Sequence, residues 1–437
     1  MEIMQTLKPF ESIWNFVLLL LVSYPILGAF AWFIGVLCYQ LVYRHRHKDD
    51  VEFKELAPAE QPFITIMIPA HNEEVMIEHT INYLMNNLNY QNYEVLVTDD
   101  GSTDETPAIL ERLQTVYDNL RVITIKKNQG KAHAFNVGVS FARGEFILSN
   151  DADSIPEPDA LWKYMSYFMG EEHANTAAVT ANMDVQNRST IIAKSQTVEF
   201  SSIVGVIKRS QVSALGNMYA YSGANTMYRR DALIDVGLFR QDRATEDISI
   251  AWDHQLNGWT TVFSPDILFY MNVPENLDAL YHQRKRWAKG GTEVLLTNFK
   301  RVASHPGKYL KQWAFITDQT LSIIWSLFFF VSTLIFLISL VTFFFTGNYE
   351  RVYHMFCMAF IFVTFEMFAG VLQLLSALIV DDRGRKFKYL IFMPLYMLIY
   401  WQVNALALVT TLIPAVKTIL GYGSGTWVSP VRKHHTE

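Results

Sequence analysis

Apolar residues are spread unevenly along this chain. Residues 14–43, 321–345, 353–379 and 389–413 form long runs nearly free of charge and rich in Leu, Ile, Phe and Trp. Each run meets the length of about 20 residues that a membrane-spanning helix needs. Buried core helices would give similar runs, but four of them gathered at the two ends of the chain favour spans. The first is too long, and too poor in a small-residue cleavage site, to be a signal peptide, so it reads as an anchor. Within 389–420, Pro394, Gln402, Asn404 and Pro414 interrupt a stretch too short for two full crossings. Such interruptions are tolerated where a helix faces protein or a water-filled path, and the side on which 421–437 lies stays open.

Between the ends the pattern changes. Residues 63–69 read as a buried strand, 74–88 as a helix and 93–98 as the next strand, and the theme repeats with strands at 121–126 and 145–150. Strands recurring with helices between them indicate βαβ units and a mostly parallel, Rossmann-like sheet. In open α/β sheets ligands bind beyond the carboxyl ends of the strands. The residues expected there are Ala70, Asn72 and Glu73 after the first strand, Asp99 and Asp100 after the second, and Asp151 and Asp153 after the fourth. The chain thus divides into an N-terminal membrane anchor (1–50), a soluble α/β domain (51–300), and a membrane-interface helix with C-terminal spans (301–437).

Charge adds orientation and removes some functions. Arg44, Arg46 and Lys48 follow the first run, and the positive-inside bias then puts 44–310 in the cytoplasm. The segment 381–386 is again basic on balance, and the two runs between return the chain to the same side. A net charge of −6 over 437 residues argues against a nucleic-acid partner. The only cysteines, Cys38 and Cys357, lie in apolar runs and give neither a disulfide framework nor zinc spacing.

Four clusters carry the candidate chemistry. Asp99-Asp100-Gly101 opens a turn in which Ser102, Thr103 or Asp104 can cap the next helix, yet capping does not explain two adjacent carboxylates, one of which is suited to a uracil ring or ribose. Asp151-Ala152-Asp153 places two carboxylates on one side of an extended chain, hard oxygen ligands of the kind that hold Mg²⁺ or Mn²⁺ together with substrate phosphates. Thr245-Glu246-Asp247 begins a helix, where either acid serves as N-terminal charge or as a general base; the residues alone do not choose. In Gln283-Arg284-Lys285-Arg286-Trp287, Arg286 suits a diphosphate and Trp287 a sugar face, while interfacial Trp with snorkelling cations is the plainer reading. Lys131, after Gln129-Gly130 at a helix start, is an anion contact or, more simply, a solvated first-turn lysine.

Together and in this order, Asp-Asp-Gly, Asp-x-Asp, Thr-Glu-Asp and Gln-x-x-Arg-Trp resemble the processive family 2 glycosyltransferases, which include cellulose, chitin, hyaluronan and poly-N-acetylglucosamine synthases. The resemblance runs from about residue 62 to 287 and into the C-terminal membrane region. Within the family the likeness is strongest to the poly-β-1,6-N-acetylglucosamine branch, carried by 199–209 (EFSSIVGVIKR), 245–252 (TEDISIAW) and 427–432 (WVSPVR). Thr98-Asp99 precedes Asp100 where related chains often carry another pair, which leaves open which aspartate meets the base.

The resemblance implies a GT-A fold flanked by transmembrane helices in a bacterial inner or plasma membrane, with UDP-N-acetylglucosamine as donor and a growing polysaccharide as acceptor. It implies that Asp100 contacts uridine, Asp153 binds Mg²⁺ (or Mn²⁺) with Asp151 beside it, and Asp247 is the base. Gln283, Arg286 and Trp287 would line the acceptor and diphosphate side together with Glu246, with Ser222 and Gly223 near the growing end. Ala70, Asn72, Glu73, Asp99 and Lys131 complete the donor side. Trp401, Gln402 and Asn404 are candidates to line an export path, and relatives of this branch often work with a small membrane partner. Hyaluronan, chitin or β-glucan synthesis is the alternative within the same family.

Overall fold

The computed structural model describes residues 2–46, 53 and 55–422. Its centre is an eight-stranded sheet: β1 (Ile64–Ala70), β2 (Tyr93–Asp100), β3 (Leu120–Ile125), β4 (Phe146–Asn150), β5 (Ile155–Pro156), β6 (Thr176–Val185), β7 (Asn225–Arg229) and β8 (Thr260–Met271). The strand order is β3-β2-β1-β4-β7-β6-β8-β5. Four of the seven pairings, β1 with β2, β1 with β4, β2 with β3 and β6 with β8, are parallel. The expected βαβ half is there, with strand limits shifted by one or two residues. Asp99 and Asp100 form the last pairs of β2 with β1 and β3 instead of following the strand.

The two-residue period sorts side chains into two cores. Ile64, Ile66 and Ile68 of β1, Val95 and Val97 of β2, and Phe146 and Leu148 of β4 face one. Met67, Leu96 and Ile147, from the alternate positions, face the other. The Ile77–Asn87 helix supplies Ile77, Ile81 and Leu84 to the first layer at helical spacing. Ala132, Phe135 and Val139 of the Lys131–Phe141 helix enter the second. The sheet is therefore covered on both faces, which is why every residue of β1 and β2 is buried.

The chain runs outward from β1 to β2 and β3, then crosses back to place β4 on the other side of β1. That reversal opens a crevice at the carboxyl ends of β1 and β4. Four strands follow residue 150, beyond the reach of the sequence periodicity. Their small and polar residues, such as Thr176-Ala177-Ala178-Val179-Thr180-Ala181, pack in a mixed sheet and lack the long apolar run of a parallel core strand.

Among the described residues, four helical stretches are long and apolar enough to cross a membrane: Asn15–Arg46, Leu310–Phe345, Tyr349–Val380 and Arg385–Ile419. They contain the four expected runs. Phe345, Phe360, Phe365 and Phe368 stand exposed on them, as lipid contact allows and water does not. The last stretch passes through 3₁₀ turns and a π segment, Tyr396–Tyr400, before the Trp401–Ile419 helix, so it forms one interrupted element. Lys48 and residues 427–432 lie outside the described residues.

Two long helices join the halves. Leu277–Ser304, which carries the Gln-x-x-Arg-Trp cluster, packs along Trp401–Ile419, with Tyr281 Oη 3.1 Å from Thr410 Oγ1. A second helical path runs Ile191–Phe200, a π segment Ser201–Lys208, and Arg209–Leu215. Its Val206 shares a small core with Val36 and Ala377 of two membrane helices.

Candidate active site

The β1 and β2 loops are laced together at the crevice. Asn72, at φ 56° in the left-handed region that Asn tolerates, accepts from Thr103 N–H (2.8 Å) and donates its own N–H to Ser102 Oγ (2.9 Å). Glu73 N–H donates to Thr106 Oγ1 (2.8 Å) and His71 Nδ1 lies 2.9 Å from the Asp100 carbonyl. Ala70 and Glu73 are buried and Asn72 is exposed.

Asp99 and Asp100 are each 1% exposed. Asp99 Oδ1 accepts the Ser102 N–H (3.1 Å). Both oxygens of Asp100 lie 3.1 Å from the Gln129 N–H, and Oδ2 also takes the Gly130 N–H at 2.8 Å. Asp100 therefore straps the 127–130 loop to the end of β2 and presents the start of the Lys131–Phe141 helix to the crevice. Gly101 completes the strap: its φ is 69°, and a Cβ there would lie 2.9 Å from the Asn128 nitrogen. Whatever Asp100 offers a nucleoside comes from the lone pairs left over.

Asp151-Ala152-Asp153 is not extended. Ser154 N–H donates to the Asp151 carbonyl (3.0 Å), and Asn150 Nδ2 donates to the carbonyls of Asp151 and Ser154 (2.8 and 3.0 Å). Thr80 Oγ1 pins the Ala152 carbonyl at 2.6 Å. The result is a turn that buries Asp153 and leaves Asp151 half-buried. A strand end capped by Asn150 turns here because the strand's ladder to β7 stops at Asn225.

Lys131 is not solvated either. Its side chain is 11% exposed, and Nζ lies 2.6 Å from Asp151 Oδ1 and 3.3 Å from Glu246 Oε1. Burial opposes its charge, but Asp151 and Glu246 outweigh burial and hold its pKa above the ordinary lysine value. The simple first-turn reading fails because both partners come from distant strand and helix ends that only the fold brings together.

Glu246 and Asp247 open the Glu246–Leu256 helix. Asp247 Oδ2 accepts the Gly223 N–H (3.1 Å) and Oδ1 accepts the Ile248 N–H (2.9 Å). Burial, and next the charge of Glu246, raise the Asp247 pKa; Arg286 and Lys131 pull it down. The groups crowd around Gly223. A Cβ at this position would sit 3.2 Å from Glu246 Oε1, 3.3 Å from Asp247 Oδ2 and 3.4 Å from Lys131 Nζ. Any side chain here would intrude on three charged groups. Ser149 Oγ donates to the Gly223 carbonyl from β4.

In the Gln-x-x-Arg-Trp cluster, Arg286 is half-buried and its charge bears on both Asp247 and Lys131. Trp287 packs against the second core. Snorkelling is excluded for Arg284: it is buried, Nη2 lies 2.6 Å from Glu199 Oε2, and its guanidinium sits 4.3 Å from the Trp287 ring centroid. The Gln283 Oε1 atom is buried with no protein partner, an acceptor left for a ligand or water. The Arg284–Glu199 pair was absent from the sequence candidates, although both residues lie in the two segments that carry the family likeness.

Two residues of the same crevice also escaped sequence reasoning as site groups. Lys208 is buried with Nζ 2.6 Å from Ser222 Oγ, and Thr180 Oγ1 accepts the Ser222 N–H at 3.1 Å. A lysine ending an apolar helical run was the available signal. In the membrane region Trp401 and Gln402 line a cavity of about 90 Å³ with Phe329 and Glu366; Asn404 does not line it.

A carboxylate raised in pKa, aligned by a backbone N–H and flanked by two cations, is equipped to take a proton beside a developing anion. The profile of Glycosyl transferase family 2 matches residues 65–237, which hold the first two acidic clusters, Lys131, Ser222 and Gly223. The chain is 32% identical over 426 residues to a poly-β-1,6-N-acetyl-D-glucosamine synthase of Staphylococcus epidermidis, covering 96% of this chain and 98% of that one. A synthase of the same name from Staphylococcus aureus (strain COL) is 32% identical over 418 residues, covering 94% and 97%. The fold is similar to that of the mannosyltransferase PcManGT from Pyrobaculum calidifontis, solved with GDP-Man and Mn²⁺, at TM-score 0.55 and 18% identity over 92% of this chain and 99% of that one.

Proposed function

The chain belongs to glycosyl transferase family 2, a membrane glycosyltransferase of GT-A fold, and from that premise we propose that it polymerises N-acetylglucosamine from UDP-N-acetylglucosamine into poly-β-1,6-N-acetylglucosamine. Likeness to synthases of that name over nearly the whole chain supports the product. The convergence of Lys131, Glu246 and Asp247 around Gly223, with the charge of Arg286 bearing on Asp247, carries the mechanism.

The reaction is a single inverting displacement. Asp247 takes the proton of the acceptor hydroxyl as its oxygen attacks the anomeric carbon. The bond from that carbon to the diphosphate oxygen breaks, and UDP leaves with the electron pair. Arg286 and Lys131 offset the charge that grows on the diphosphate. Trp287 and Gln283 line the acceptor side with Ser222 and Gly223, and Asp99 and Asp100 order the donor side.

The turn after β4 fits a divalent cation. Among the described residues no three His, Cys, Asp or Glu gather into a self-sufficient metal site. Asp153 with Asp151 offers instead the one or two carboxylates that Mg²⁺ or Mn²⁺ takes when substrate phosphates complete its shell. Bound there, the ion would supply Lewis-acid neutralisation of the diphosphate.

Residues 51–300 form the catalytic unit in this reading, facing the cytoplasm behind the anchor 1–50 and its Arg44 and Arg46. Residues 301–437 hold the path by which polymer leaves in this reading, with Trp401 and Gln402, which share a cavity, along it. The test is incorporation of labelled sugar by membranes carrying the chain, supplied with Mg²⁺ and UDP-N-acetylglucosamine, UDP-glucose or UDP-glucuronic acid. Polymer from the first donor alone, cut by a β-1,6-specific hexosaminidase and resistant to chitinase, is expected. Polymer from another donor, or one that chitinase cuts, overturns the product assignment.

A further inference from the structure

Lys208 closes the π segment Ser201–Lys208, a rare helical form that recurs at functional sites. One side of this helical path rests on the membrane helices. Ser210 Oγ donates to the Trp32 carbonyl (3.1 Å), and Gln373 Nε2 donates to Ser202 Oγ (2.9 Å). The other side turns Lys208 toward the acceptor turn, where Nζ donates to Ser222 Oγ at 2.6 Å. The residue is 7% exposed. Its remaining neighbour of note is the Phe263 ring, 5.8 Å from Nζ.

No carboxylate lies within ion-pair distance of Lys208 among the described residues. A buried ammonium with three donors, one neutral acceptor and no counter-charge in contact is destabilising. Methionine would fill the same space without that burden. Burial pulls the Lys208 pKa down to about 8, and the charge of Asp247 resists that shift. The neighbouring cation, Arg209, turns away to Asp381 and the Gly205 carbonyl. Charge on Lys208 therefore faces one charged group, Asp247, and one hydrogen-bond partner, Ser222. Ser222 leads directly into Gly223, whose N–H aligns Asp247.

We propose that Lys208 is a positioning residue for sugar transfer: by holding Ser222 it fixes the Gly223 N–H on Asp247 and so orients the carboxylate that takes the acceptor proton. The proposal rests on the reading of Asp247 as base. It also ties the acceptor turn to the membrane helices through the Lys208 side chain, because the helical path that carries Lys208 is the one packed on Val36 and Ala377.

The experiment uses the full chain in lipid vesicles and compares K208M, K208R and D247N. K208M is expected to lower the turnover of elongation about 10²-fold, the scale of misplacing a reacting group, with donor KM within twofold of the parent and an equal or higher Tm. K208R, charged at every accessible pH, is expected to recover part of the rate and to lack the decline expected of the parent above about pH 8. Parent-like elongation by K208M beside an inactive D247N overturns the positioning role alone. Rate lost by K208M in step with Tm, or with no recovery in K208R, overturns it too. Normal elongation by D247N overturns the base assignment and the proposal with it.

Discussion

Asp99-Asp100 and Glu246-Asp247 are both pairs of adjacent acids, and they are built differently. Asp99 and Asp100 end a central strand, are sealed from solvent, and receive backbone N–H groups from Ser102, Gln129 and Gly130. Glu246 and Asp247 begin a helix and face the side chains of Lys131 and Arg286. A carboxylate bonded to the N–H groups of a neighbouring loop organises that loop. One buried beside a second acid, with cations nearby, has its proton affinity set by their balance. In the proposed mechanism the first pair shapes the crevice and the second works in it.

The sharpest way to break this contrast is to neutralise the working acid. D247N keeps the shape of the side chain and removes the proton acceptor, so turnover should fall by about 10²–10⁴-fold, the usual contribution of base catalysis. Calorimetric UDP binding should stay within a few-fold of the parent, since the donor loops do not touch Asp247. Parent-like incorporation by D247N would mean that the two pairs do not differ as described.

D100N should act on the other side of the contrast and by a different route. The amide sets an NH₂ group against backbone donors that both carboxylate oxygens now accept. Loss of a buried partner costs about 1–3 kcal/mol, and the freed 127–130 loop should raise donor KM more than it lowers turnover. Thermal unfolding and donor titration together check this. A D100N protein with unchanged Tm and a turnover loss as deep as that of D247N would assign Asp100 to the chemistry itself. D99N, whose amide oxygen can still accept the one Ser102 N–H, should lose less stability than D100N.

How these acids divide their work was only partly legible in the chain. The apolar runs of β1, β2 and β4 are legible as short buried strands, and the acids at their ends announce the crevice. The membrane spans are equally plain, because lipid demands about 20 apolar residues in a row. What escaped depends on partners far away in sequence. Lys131 looks solvated until Asp151 and Glu246 close on it, Arg284 looks interfacial until Glu199 meets it, and Asp151-Ala152-Asp153 looks extended until Asn150 and Thr80 bend it. Strands β6 to β8 went unread because a mixed sheet of small residues carries no strong period.

The mildest expected effect tests the electrostatics of the working pair itself. The Asp247 pKa is raised by burial and then by Glu246, and lowered by Arg286 and Lys131. Its basic form is present above that raised pKa and is lost as pH falls through it. E246Q removes the acid that helps to raise it, so the pKa falls, the basic form survives to lower pH, and the acid limb of kcat/KM moves down. R286Q removes a cation that lowers it, so the same limb moves up, alongside whatever rate Arg286 supplies at the diphosphate. The limb, read from kcat/KM against pH with saturating metal, separates position from amplitude. Two variants that move it in the same direction would mean that a different group sets the acid limb, and the contrast between the two pairs would then have to be drawn without Asp247 as its proton acceptor.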